Sequence, residues 1–533
     1  MLWNKSGIIN DDWYQKLVFL VLIIMIIGVP SSRILMSISQ ISFGALWLAN
    51  GHWKRKWNLF IHNKAALVLV SFFLLHVIGV LYSTDLDYAI KDLRTKVPML
   101  IIPFMFSSFP IVSQKRFQKL LYFFVGSVMF VSFYVTIAHF VTHEEIRVII
   151  SRDFISHIRF SLSLNMAIFF LVFLQVNNSN RNGLDIFSFV ILFWLLFFLF
   201  FLEAFTGIIV FIALTFSILG YLIYKSHTLW KKILYVSLII IGVFGITYYL
   251  QQFYQKYDTP KEISEVDLEK TTASGNPYVH HIDAGTENGQ YIYIYICEPE
   301  LKEAWKKRSV LPYEAEDYKG QHLKYTLWRY LTSKGLRKDK EGVAALSIQD
   351  VKNIENGIAN YHYTQGIGVE SRLMKILWEY NNYMRTGDPS GHSVMQRVEY
   401  WRTASYIIKK NFFFGVGTGD MNIAFQEQYD EMNSKLSKDW RLRTHNQYLS
   451  IWVGLGFIGF LWFLFVLFYP PIHLKAFRNI YYFIFFVAFV ISMLTEDTIE
   501  TQAGVTFYVF FNSFFLFLYN GPDNVSQPNK DEA

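Results

Sequence analysis

Apolar residues recur along this chain in separate runs near 20 residues long, each enough to cross about 30 Å of hydrocarbon as a helix. They fall near 17–31, 34–50, 65–82, 97–110, 120–141, 160–176, 186–202, 205–224, 233–250, 447–469, 480–495 and 501–519, about twelve candidate spans. The run at 34–50 is comparatively polar, and that at 97–110 is short and flanked by proline. The first run ends in Pro30-Ser31-Ser32-Arg33 with no small-residue cleavage site, so it reads as a span rather than a signal peptide. Between the ninth and tenth runs lies a long polar block. Its Gln290–Cys297 stretch, QYIYIYIC, alternates strictly and predicts a strand with one apolar face. Helix-like segments are expected near 299–308, 321–333, 348–359 and 370–385. The pattern divides the chain into an N-terminal membrane region (1–250), an α+β cap (251–395), an amphipathic helix with a glycine-rich turn (396–445), three C-terminal spans (446–519) and a short polar tail (520–533).

Composition agrees with this reading. Hydrophobic residues make up 53% of the 533 positions and charged ones only 17%, against roughly 25% charged in soluble domains. The short loops then orient the chain. Lys54, Arg55, Lys56 and Lys64, then Lys115, Arg116 and Lys119, then Arg181, then Lys225, Lys231 and Lys232, then Lys475 and Arg478 all fall in alternate loops. That is the positive-inside pattern with the amino terminus inside, and it sends the block 251–444 to the outer side. The net charge of +7 is thereby accounted for by topology, without nucleic acid. The single cysteine, Cys297, excludes an intramolecular disulfide. No motif has metal-ligand spacing, His280-His281 reads as a surface-loop pair, and no dinucleotide or P-loop fingerprint is present.

Candidate chemistry gathers at the outer boundary. Charged groups at the edge of a span are expensive and seldom idle. Arg159 opens the sixth span in SHIRFSL, after Arg152 and His157, and Glu203 sits in the tight turn FLEAFTG. Arg397 and Trp401 are i and i+4 on one helical face, with Arg402 adjacent. The turn GVGTGD (415–420) follows. His445-Asn446 then stand at the mouth of the tenth span, HNQYLSIWVGLGFIG, and Glu496-Asp497 lie in the turn before the last one. Each has a plainer reading: arginines that snorkel to lipid headgroups, solvated acids, a structural histidine, glycines for close helix packing, a turn that ends the amphipathic helix. Their expected placement on one side of the membrane favours a single site. Trp305, Tyr325, Trp328 and Tyr330 of the cap suit core packing better than sugar stacking.

The order Arg397-x3-Trp401, GVGTGD, then His445-Asn446 with Gly456 and Gly459 beyond, resembles the O-antigen ligase and polymerase superfamily. TEDTIETQAG (495–504) and HIRFSL look like the Bacteroidetes version. The departures are the size of the block 251–395 and Glu203-Ala204, which replace a Ser-Arg pair common in the family. The resemblance implies an all-α polytopic membrane protein of the GT-C type, with a large periplasmic α+β loop before the last three helices. It implies a metal-independent, cofactor-free glycosyltransferase in the bacterial inner membrane with its site facing the periplasm. The donor would be a polyprenyl-diphosphate-linked glycan and the acceptor a hydroxyl, lipid A-core in a ligase, among membrane lipids. His445 would be the base, Arg397 and Arg159 the diphosphate clamp, and Arg402, Asn446, Glu496 and Trp401 substrate-binding or orienting neighbours. An O-antigen polymerase and a protein O-oligosaccharyltransferase share this core. A non-enzymatic polysaccharide transporter is the rival from another class; it would show an internal repeat with matched broken helices, and the sequence has no such repeat.

Overall fold

The computed structural model describes residues 11–177, 185–258, 263–264, 266, 268–365 and 369–519. Arg181 and the tail 520–533 lie outside them. The protein is mostly helical. Its chain packs as two units, one built from Met1–Tyr224 and Pro389–Ala533, the other from Lys225–Asp388.

Among the described residues six helices are long and apolar enough to cross a membrane: Asp11–Ser31, Gln114–Thr142, His157–Val176, Phe205–Lys225, Leu229–Tyr257 and Gln447–His473. A seventh crossing arises if Arg33–Ala49 and Trp53–Ile61 count as one span, bent by 116°. The bend falls where Gly51 and His52 both take left-handed backbone angles, which end a helix. Lys64–Val80, Ile186–Phe201, Ile480–Ser492 and Gln502–Leu518 are shorter apolar helices. The run at 97–110 forms only Pro98–Phe106, with prolines at its start and inside it. Nine residues rise about 14 Å, under half of a bilayer's hydrocarbon.

In the first unit, His157–Val176 is the most deeply enclosed long helix. Asn165, fully buried, donates to the Ser161 and Gly207 carbonyls at 2.8 and 3.0 Å and so ties this helix to Phe205–Lys225. An aromatic ladder of Phe485, Phe489, Tyr508 and Phe511 joins the last two helices. Such packing, more than apolar transfer, is what holds helices together within lipid.

The second unit carries Leu229–Tyr257, Val369–Thr386 and a helical shell, Glu298–Lys306, Leu323–Ser333 and Ile348–Glu355, around Trp305, Leu327, Tyr330 and Leu331. Trp305, Trp328 and Tyr330 are core residues and Tyr325 is partly exposed. The strand expected over 290–297 is not formed: only Gln290–Tyr291 pairs, antiparallel to Thr286–Glu287. Among the described residues the rest of the segment makes only isolated bridges, Ile296 to Val279 and to Lys338, and Tyr295 takes a left-handed angle. The backbone bonds go elsewhere: Ile292 N–H to Gly285, Ile296 to Val279 and Cys297 to Lys338. The alternation survives as burial alone, with Ile292, Ile294 and Ile296 inside and Tyr291, Tyr293 and Tyr295 half-exposed. Cys297 is a buried free thiol.

Candidate active site

The amphipathic helix Ser393–Lys410 buries Tyr400, Ala404, Ile407 and Ile408 against Met421, Phe425, Tyr429 and Val453. The same packing fixes its Arg397/Trp401 edge against the mouth of Gln447–His473. The glycine-rich turn lies alongside that second helix. Val416 and Gly417 donate to the Val453 and Gly454 carbonyls, both at 2.9 Å, Thr418 to Gly79 at 3.2 Å and Gly419 to the Ser83 hydroxyl at 2.9 Å. Asp420 accepts from the Thr84 and Asp85 amides. These amides are spent on the fold, so the turn clamps two helices and offers no cradle of free N–H groups to a phosphate. Gln447–His473 is interrupted at Gly456, whose backbone (φ 67°, ψ −173°) is non-helical. A side chain there would start 2.3 Å from the Phe413 carbonyl, so both the angle and the space demand glycine.

His445 stands just before that helix with φ 46°, a left-handed angle that costs a non-glycine residue about 1–3 kcal/mol. It is held there on both sides. Trp401 Nε1 donates to the Thr444 carbonyl at 3.0 Å. The Thr444 hydroxyl, fully buried, sits 3.0 Å from Asp497 Oδ1 and 2.6 Å from the Ser450 hydroxyl. Asn446 caps the helix: its side chain accepts from Leu449 N–H and donates to the Leu494 carbonyl, both at 3.1 Å. The imidazole of His445 stacks on Tyr400, ring centres 5.7 Å apart, and its Nδ1 lies 3.6 Å from Glu496 Oε2. Glu496 Oε1 accepts from Arg397 Nη2 at 2.9 Å. One carboxylate thus bridges the histidine and the arginine. Burial acts to raise the Glu496 carboxyl, but His445 and then Arg397 outweigh it and hold the group below its ordinary value. Arg397 also donates through Nη1 to the Ser393 carbonyl and through Nε to that of Thr495. Three of its five N–H groups are so used, leaving one on each terminal nitrogen.

Arg159 is close enough for the Glu496 charge to act on it. Its Nη2 donates to the Thr501 hydroxyl, while Nε is buried without a hydrogen-bond partner. Gly504 makes room beside it; a Cβ there would meet the Thr498 carbonyl at 1.7 Å and Arg159 Nε at 3.3 Å. Arg159, Arg33, Thr501, Gln502 and Thr506 line a cavity of about 190 Å³. The structure therefore gathers His445, Arg397, Glu496 and Arg159, with Trp401 and Asn446 setting the backbone between them. Arg402 is not gathered: its side chain is 58% exposed and faces Glu399 at 3.8 Å. Glu203, at φ 52°, closes the turn after Ile186–Phe201.

Sequence reasoning missed a second set of charges. Lys96 pairs with Asp92 at 2.6 Å and with Glu500 at 2.9 Å, all three buried. Arg443 reaches Glu500 at 3.5 Å and the Tyr88 hydroxyl at 2.9 Å. Gln447 Nε2 donates to Glu500 at 2.8 Å, and its Oε1 accepts from the Ile499 amide at 2.9 Å. Burial alone would raise the Glu500 carboxyl, but Lys96 and Arg443 hold it far below the usual range. This network pins the 495–501 loop, which carries Glu496, to the segment that carries His445. The i, i+4 spacing of Asp92 and Lys96 was the one available signal. Arg33, after Pro30-Ser31-Ser32, was readable only as another boundary arginine.

Residues 347–464 match the O-Antigen ligase family (Wzy_C). The matched stretch contains Arg397, Trp401, the GVGTGD turn, His445, Asn446, Gly456 and Gly459, and ends before Glu496. No curated protein matches the chain.

Proposed function

We propose that this membrane protein moves a glycan from a polyprenyl diphosphate to an acceptor hydroxyl at the outer face of the inner membrane, and that the acceptor is lipid A-core; the match of residues 347–464 to the O-antigen ligase family, whose members are glycosyltransferase-like enzymes acting on O-antigen, supports this reading. The observation that carries this reading is the His445–Glu496–Arg397 bridge beside Arg159. Glu496, kept ionised, faces Nδ1 of His445 and leaves Nε2 as the proton acceptor. As the acceptor oxygen bonds to the anomeric carbon, Nε2 takes its proton. The bond from that carbon to the diphosphate breaks, and the diphosphate departs with the electron pair. Its growing charge meets the two remaining N–H groups of Arg397 and the guanidinium of Arg159. Trp401 and Asn446 act as positioning residues for His445.

The block 251–395 is large enough to screen a bulky acceptor, which supports the ligase reading over its sister activities. The test is the glycan profile of a deletion strain complemented with the wild type or with His445→Ala. Loss of polymer on lipopolysaccharide in the deletion and in the variant is expected. Loss of chain length alone would make the enzyme a polymerase, and loss of protein-linked glycan a protein O-glycosylating enzyme. General-base catalysis contributes about 10²–10⁴-fold, so near-normal transfer by a stably inserted His445→Ala would remove the histidine from the mechanism.

A further inference from the structure

Within the Lys225–Asp388 unit lies a cleft of about 880 Å³ that the transfer chemistry does not use. Its lining includes Tyr257, Asn288, Gln290, Tyr291, Tyr295 and Arg337. We propose that this cleft is a binding site for a sugar chain, a subsite that grips the glycan away from the reacting bond; the proposal rests on the reading of the protein as an enzyme of lipid-linked glycan.

Three features select polyhydroxylated rings over other ligands. The first is aromatic surface. The alternation in 291–296 buries its isoleucines and turns its tyrosines outward, and two of those, Tyr291 and Tyr295, form cleft wall together with Tyr257. Tyr291 presents a flat apolar face for the C–H side of a pyranose and a hydroxyl for its rim, while Tyr295 under Arg337 and Tyr257 under Lys256 wall the cleft beside it. The second is a planar amide. Asn288 is held at φ 51° in the hairpin turn, and both polar atoms of its side chain are buried without hydrogen-bond partners. An amide offers a donor and an acceptor side by side, the pairing that neighbouring hydroxyls of a sugar satisfy. The third is muted charge. Arg337 lies over the Tyr295 ring at 4.9 Å and is paired with Glu269. Lys256 is 3.5 Å from Glu370. Lys338 donates to the Ile294 carbonyl at 3.1 Å, and burial pushes its ammonium down to about 7. Cations neutralised in this way favour an uncharged polar ligand over a phosphate or an acidic peptide.

The position of the cleft fits the same ligand. Leu229–Tyr257 is apolar enough to cross a membrane. Near its end Tyr248, Tyr249 and Tyr254 are exposed, an aromatic girdle of the kind that marks the lipid–water boundary. Gln255, Lys256 and Tyr257, the next residues, are cleft wall. A glycan attached to a membrane lipid emerges from the bilayer at that level.

The test uses the full-length protein in lipid nanodiscs, titrated with two delipidated probes: polysaccharide released by mild acid from the producing cell's lipopolysaccharide, and core oligosaccharide from a strain lacking that polysaccharide. Binding is read by calorimetry and saturation-transfer NMR. One or both sugar chains should bind, the polysaccharide assigning the cleft to the donor and the core to the acceptor. Tyr291→Ala should weaken binding about tenfold, the order expected for loss of one aromatic contact. Tyr291→Phe should retain most of it. Asn288→Gly, which keeps the left-handed turn, should weaken binding without lowering the melting temperature. His445→Ala should bind sugar as the wild type does, because it lies in the other unit. Wild-type protein that transfers glycan but binds neither probe would overturn the cleft and leave the transferase reading standing, as would Tyr291→Ala and Asn288→Gly variants that bind as the wild type. Wild-type protein that binds sugar in the cleft but transfers glycan to no acceptor would overturn the transferase reading while leaving the cleft intact.

Discussion

Arg397 holds Glu496 with one terminal nitrogen and two backbone carbonyls with its other bonds, yet keeps one N–H on each terminal nitrogen. A lysine at this position has a single nitrogen and cannot both brace the carboxylate and present a fork. Arg397→Lys is therefore expected to lose most transfer activity while remaining membrane-inserted; activity near that of the wild type would make the residue an interfacial anchor. Arg159→Lys should lose less, since Arg159 has a cavity beside it and neighbouring Arg33 to share the charge. Glu500 governs stability rather than chemistry. Its carboxyl is lowered in the folded protein, so its contribution is fully present above the unfolded value near 4.3 and is lost as pH falls through that value toward the folded one. Thermal melting between pH 3 and 7 should show this acid-side loss. Glu500→Gln should flatten that limb and cost about 3–5 kcal/mol at pH 7, because Arg443 would lose its paired carboxylate and Lys96 would keep only Asp92. A variant as stable as the wild type at pH 7 would show that the network is incidental.

At the scale of the element, the break in Gln447–His473 is the feature that lets the GVGTGD turn reach its neighbours. Gly456→Ala would place a carbon within 2.3 Å of the Phe413 backbone at a positive φ, and a loss of several kcal/mol, or of the folded protein altogether, is expected. A well-folded Gly456→Ala protein with unchanged melting would refute this account. The elements were legible in unequal measure. Helix-like segments of the middle block follow their 3.6-residue pattern, and the His445–Gly459 stretch announces itself because its polar pair stops at an apolar run. Glu496, Arg397 and Trp401 were readable as a set from spacing and sidedness. Lys96, Asp92, Arg443 and Glu500 were not: each looks solvated in its own loop, and only the fold brings Lys96 to Glu500 across 404 positions. Arg402 was read by adjacency to Trp401, yet one step along a helix turns a side chain by about 100° away from its neighbour's face. The 290–297 strand failed for another reason. Period two reports which side is buried, and a ladder also needs a partner strand, which this segment lacks over most of its length.

At the scale of the molecule, orientation is the quantity to test. In a Cys297→Ala background, a cysteine at Val310, which is 84% exposed in the middle block, should react with a membrane-impermeant thiol reagent in cells with a permeabilised outer membrane. A cysteine at Asn177, in a loop expected to face the cytoplasm, should stay unlabelled. The reverse result would put Arg159, Arg397 and His445 in the cytoplasm and remove the proposed donor from their reach. Cys297 cannot serve as the reporter, because it is buried.

The first unit is assembled from two stretches of chain with the whole of Lys225–Asp388 between them. That division has a consequence for biosynthesis. Arg159 and its helix leave the ribosome long before Arg397, His445 and Glu496; at about 5–20 residues per second the wait is on the order of tens of seconds. During that interval Asn165 already has its Gly207 partner, but the faces that later receive Ile480–Ser492 and Gln502–Ser513 have none within the chain. The nascent half-bundle must be sheltered by lipid, by the insertion machinery or by a membrane chaperone until Ile480–Ser492 and Gln502–Ser513 arrive, and the candidate site is complete only after Glu496 has been made.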